Sequence, residues 1–149
     1  MKPEVDRTLR LLAQSLMLEI GPGLASDYAQ KNALLAALLL SSAAEEWDRA
    51  AERRVEENRV LRALFRDAAA RGVADGTLRA RLEAAAHGED ASLCISDLER
   101  SNAELRALVV ELHARVEELA TPAAREIEGR IWEELRRSTE RRRLGMQPF

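Results

Sequence analysis

Residues 24–71 read LASDYAQ KNALLAALLL SSAAEEWDRA AERRVEENRV LRALFRDAAA R, a stretch without a single glycine or proline. It is built from Ala, Leu, Glu and Arg, the strongest helix formers. A continuous helix here would be about 70 Å long at roughly 1.5 Å per residue. A compact domain of this chain length is only about 35–40 Å across, from a radius of gyration of about 15 Å. The helix must therefore bend or break, or a second subunit must cover its protruding half. Ser26 is a suitable N-cap, and Gly72 a natural left-handed terminator.

The pattern changes twice along this helix. Residues 33–44 are apolar on nearly every face, which predicts burial all round. Residues 45–59 are the reverse, with only Trp47, Ala50, Ala51 and Val55 apolar. Val60, Leu61, Leu64, Phe65 and Ala68 then restore an amphipathic face. The charged middle is either a solvated crossing or a polar cluster inside the bundle.

Outward from this element, the remaining segments also read as helices. Pro3 opens a first helix reaching about Ile20, with Val5, Leu9, Leu12, Leu16 and Ile20 on one stripe, and Gly21-Pro22-Gly23 ends it. A short helix spans 77–86 and stops at Gly88. Ser96-Asp97-Leu98-Glu99 has the form of a capping box. The seam that follows it, Leu98, Asn102, Leu105, Val109, Leu112, Val116 and Leu119, keeps the 4-3 spacing of helices packed side by side. Thr121-Pro122 supplies a cap and a first-turn proline for a last helix whose buried face is Ile127, Ile131 and Leu135, with Trp132 alongside. Its C-terminal end gathers Arg136, Arg137, Arg141, Arg142 and Arg143, where cations suit the helix dipole.

The 149 residues are 46% apolar, 33% charged and only 3% aromatic, and strand signals are almost absent, with β-branched residues scattered and no run of period two. The expected fold is therefore a single all-α domain over 1–149, an up-and-down helical bundle with an unusually long second helix. A net charge of −3 implies no general nucleic-acid surface. Basic residues are lopsided, 21 Arg against 2 Lys. This reflects compositional bias, bidentate pairing of Arg with buried carboxylates, or both. Lys2, Arg7 and Arg10 before the apolar run 11–20 faintly suggest a signal peptide, but Glu4, Asp6 and Glu19 oppose it. The run 34–40 is too short to span a bilayer. With the single Cys94, these features lead to the expectation of a soluble, cytoplasmic protein with no membrane association.

One internal similarity bears on function. Asn58-Arg59-Val60-Leu61-Arg62-Ala63-Leu64 matches Asn102-Ala103-Glu104-Leu105-Arg106-Ala107-Leu108 as Asn-x-x-Leu-Arg-x-Leu. Each Asn falls on a buried stripe, where an amide must be paired and can fix register. The two can face one another or cap a shared polar network. The candidate polar cluster comprises Glu52, Glu56, Asn58 and Arg62 of the second helix with Asn102, Arg106, His113 and Glu117 of the fourth. Neither His87 nor His113 has an acid three residues earlier, unlike di-iron bundles. His113 and Glu117 with Glu45, Glu52 or Glu56 form a conceivable single-metal set, but ion pairing is the commoner fate of such groups. No catalytic residue, metal or cofactor is assigned.

The segments Glu45-Glu46-Trp47-Asp48-Arg49-Ala50-Ala51 and 55–62, with Asn102-x-x-Leu105-Arg106, Glu111-Leu112-His113 and Val116-Glu117, together resemble a family of small bacterial all-helical proteins without an assigned activity. The resemblance implies a bundle encoded near acyl-CoA dehydrogenases and aminoglycoside-phosphotransferase-like kinases, and it carries over no catalytic residues. Two functions stay open. One is an interaction or accessory subunit serving such enzymes, a homo-oligomer with a dimer favoured, joined through the first helix and the first half of the second. The other is a small-molecule-binding, metal-binding or catalytic bundle using the charged cluster.

Overall fold

The computed structural model describes residues 4–145. All regular structure among them is helical: α1 (Val5–Ser15), α2 (Asp27–Ala70), α3 (Gly76–His87), α4 (Ile95–Glu118) and α5 (Pro122–Arg142). The fold is an all-α bundle with a long second helix, as the residue pattern requires. The proposed start at Pro3 lies outside the described residues.

The helix α2 runs without interruption for 44 residues. Ser26 caps it, its hydroxyl accepting from the Ala29 amide at 3.2 Å. Beyond its end Gly72 adopts φ 67°, the left-handed conformation that side chains avoid. The first helix is less regular than its stripe implied. After Ser15 the chain widens into a π-helical turn over Leu16–Ile20 and tightens into a 3₁₀ turn at Gly21–Gly23. The Gly21 amide donates back to the Leu16 carbonyl. A Cβ at Gly21 would sit 2.8 Å from that same oxygen, so glycine is sterically required there.

Contacts divide the described chain into two compact units, residues 51–143 and residues 4–50 with 144–145. Within the smaller unit the buried apolar positions are small ones: Ala13, Ala33, Ala37, Ala44 and Ala50. Its large side chains stay open to solvent, including Leu18 and Leu39, each 63% exposed. The Glu45 carboxylate accepts from Arg49 at 2.8 Å and from the Gly145 amide at 2.9 Å.

The larger unit has a continuous core. Phe65, Leu82, Leu112, Ile127 and Ile131 are sealed from water, with Leu61, Leu64, Leu105 and Val116 around them. Each such side chain contributes roughly 1.5–3 kcal/mol on burial. The 4-3 seam of α4 faces inward from Leu98 to Val116, with Leu119 packed at its margin. At the start of α5, Thr121 Oγ1 accepts from the Ala124 amide at 3.2 Å and Pro122 fills the first turn. The start of α4 departs from the capping-box reading. Cys94 is the cap residue and carries no side-chain cap bond. Ser96 lies inside the helix, and Asp97 instead accepts from Ser92 Oγ at 2.7 Å. Glu99, the acid that the box would use, pairs instead with Arg54 Nε at 2.5 Å.

Candidate functional site

The two Asn-x-x-Leu-Arg-x-Leu segments meet in the larger unit. Asn58 and Asn102 stand three residues before a core leucine, a spacing that turns both amides toward the packed interface. Asn102 Nδ2 donates to Asn58 Oδ1 at 3.0 Å and to Glu57 Oε2 at 3.3 Å. Asn58 Nδ2 donates to Asp90 Oδ1 at 2.9 Å. Both amides are fully enclosed, at 0% and 1% exposure. An unpaired buried amide costs about 1–3 kcal/mol, so this relay from Asn102 through Asn58 to Asp90 sets the register of α2 against α4.

Each end of the chain of amides rests on an anion held by arginine. Asp90, from the loop before α4, accepts from Arg62 at 2.7 Å and from Ser101 at 3.1 Å. Burial pushes its carboxyl upward, but hydrogen bonds from Arg62, Asn58 and Ser101 outweigh that and hold it below its ordinary range. Glu57 is buried in α2 and is gripped by Arg142, whose Nη2 and Nε reach its two oxygens at 2.7 and 3.2 Å. Ser138 Oγ donates to it at 2.9 Å, and Arg106 lies 3.8 Å away. Burial again acts upward and loses, here to hydrogen bonds from Arg142 and Ser138 and to the charges of Arg142 and Arg106. The carboxyl stays ionised, with both oxygens occupied, and has no capacity left to act as a base. The forked Arg142–Glu57 contact matches the pairing role expected of the Arg-rich composition.

Beside Glu57 lies a cavity of about 190 Å³. Leu61, Leu64, Val109, Ile131 and Leu135 form its apolar wall, and Glu57, Arg106, His113, Glu134 and Ser138 supply polar atoms. Glu134 differs from the other carboxylates. Burial, the largest influence, raises its pKa, and the neighbouring Glu57 charge acts in the same direction. Its Oε1 accepts from Arg141, but Oε2 is shut off from water without a hydrogen-bond partner. One carboxyl is thus held ionised while the other is pushed toward its neutral, donating form. Such divergence is what acid–base sites use, although here the ionised member is fully engaged.

The predicted cluster is assembled only in part. Asn58, Arg62, Asn102 and Arg106 join the network, and His113 lines the cavity. Glu52 is exposed, and Glu56 pairs at the surface with Arg59 at 2.7 Å. The buried carboxylate is their neighbour Glu57, about 100° further round the helix. Its signal was present, because positions 57, 61, 64 and 68 continue one stripe. Glu134 and Ser138 likewise extend the stripe of Ile127 and Ile131, while Asp90 sits in a loop where spacing carries no information. Glu117 approaches His113 at 3.6 Å. The acid grouped with His113 and Glu117 is Glu128 of α5, which lies outside the set expected from the sequence. Among family models, curated proteins and solved structures, none matches this chain.

Proposed function

We propose that residues 51–143 form a small-molecule-binding bundle. Its ligand has an apolar body about the size of one aromatic ring and a single hydrogen-bonding end. The observation that carries this reading is the cavity lined in part by Glu134, a buried carboxyl with one unpartnered oxygen. An engineered apolar cavity of about 150 Å³ accommodates benzene, so 190 Å³ suits a ring with one substituent. The orphaned oxygen of Glu134 accepts from a donor on that substituent.

Thermal unfolding in the presence of benzene, phenol and benzylamine tests the reading, since binding to the folded state raises stability with ligand concentration. The expected order places phenol or benzylamine above benzene. Glu134→Leu should remove the difference, and Val109→Phe should fill the cavity and remove all three shifts. Equal shifts in the wild type and the Val109→Phe variant would overturn it.

A second reading has its own support in the smaller unit, where Leu11, Leu12, Leu18, Ile20, Leu35 and Leu39 are all exposed. Apolar exposure of this kind marks association surfaces. A homodimer formed there, serving as an accessory subunit, accounts for it. Sedimentation at micromolar concentration should then give twice the chain mass of 16.6 kDa. Leu18→Glu with Leu39→Glu should return the monomer.

A further inference from the structure

The geometry points to a divalent transition-metal site formed by His113 and Glu117 of α4 with Glu128 of α5. A ring nitrogen of His113 and one oxygen from each glutamate all lie within 4.8 Å of one another. His113 and Glu117 are one helical turn apart, which projects both from the same face of α4. On α5, Glu128 stands one turn before Trp132, and the indole meets the His113 ring edge-on, with centroids 5.2 Å apart and planes at 87°. The helical turn that brings Trp132 to the imidazole therefore also delivers Glu128.

The histidine itself gives the independent sign of a missing partner. His113 Nε2 is closed off from water and has no hydrogen bond, while the nearest carboxylate oxygen, Glu117 Oε1, is 3.6 Å away. That separation is too long for a good hydrogen bond. It suits two donors on one ion: ligands about 2.0–2.2 Å from a tetrahedral centre lie roughly 3.3–3.6 Å from each other. The other glutamate closes the remaining gap by rotating a flexible side chain. One imidazole with two carboxylates is a nitrogen–oxygen donor set suited to zinc and its first-row neighbours. Three protein ligands leave a coordination position open for water or a ligand atom. The site shares His113 with the cavity wall, but Glu117 and Glu128 lie outside that lining, so the Glu128 variant separates the two readings.

Zinc titration by calorimetry of full-length, chelator-stripped protein tests the site. A His87→Ala, Cys94→Ser background removes two exposed residues able to hold zinc elsewhere. One equivalent per chain is expected at micromolar affinity or better. Glu128→Gln and His113→Gln should each weaken it at least tenfold, whereas Glu118→Gln, whose carboxylate faces Arg115, should not. With Trp47→Phe, Trp132 is the sole indole, and cobalt or copper should quench its emission in a saturable way that Glu128→Gln abolishes. If His113→Gln fails to fold, the half-buried Glu128 decides alone. Absence of saturable zinc uptake below 100 micromolar (roughly 5 kcal/mol), or uptake unchanged by Glu128→Gln, overturns the assignment.

Discussion

Replacing Glu57 by Ala removes the anion on which the inner half of the polar network rests. Asn102 then keeps its bond to Asn58 but loses the acceptor for its second N–H, in a place with no water. That orphaned donor costs about 1–3 kcal/mol. Arg142 and Arg106 also lose their partner, but their side chains are 43% and 42% exposed and can rehydrate. Their loss is therefore held to about 0–1 kcal/mol each. The expected total is about 3 kcal/mol. Urea unfolding followed by Trp132 emission, in a Trp47→Phe background, reports on the larger unit. With a slope of about 1.5 kcal/mol/M the midpoint should fall by roughly 2 M. Asn102→Ala removes the other partner, so the two substitutions should be non-additive by about 1 kcal/mol. A midpoint shift below about 0.3 M, or strict additivity, would refute the network as an energetic unit.

Two further outcomes concern pH. Asp90 has a lowered folded-state pKa, so its contribution is present above its ordinary value of 3.8 and fades as pH falls through the lower folded value. Asp90→Asn should cost about 1–3 kcal/mol at pH 7, and urea melts should show the gap from wild type closing below pH 3.8. Glu134 has the opposite sign. Its raised pKa favours folding while it is protonated, and that advantage is lost as pH rises from 4.5 through the higher folded value. Glu134→Gln should gain on the wild type between pH 4 and pH 7 in the same melts. A variant that instead falls behind as pH rises would contradict the assigned direction.

Much of the candidate site was legible, though displaced by single positions. The repeated Asn-x-x-Leu-Arg-x-Leu segments identified Asn58 and Asn102, because an amide on a leucine stripe must find a partner inside. Glu56 and Glu57 look alike in composition, and only the phase of the stripe separates the exposed acid from the buried one. Glu134 and Ser138 carry a weak signal because a polar residue on an apolar stripe reads as the end of the buried face. Arg142 reads as a solvated terminal cation, whereas its side chain reaches Glu57. Asp90 and Glu128 had no sequence signal linking them to their partners.

Local chemistry by itself determined the helical class, the five segments, the length of the second helical stretch and its glycine terminator, while the structure decided that this stretch runs without a break. Propensity, capping and the 3.6-residue period act over a few neighbouring residues, and the chain states them directly. Which carboxylates are buried, which arginines reach them and where a cavity remains were decided only by the tertiary structure. Those outcomes depend on pairs such as Glu57 and Arg142, 85 residues apart. Their meeting is set by the register of whole helices, and the energies that select among partners exist only after water has been excluded.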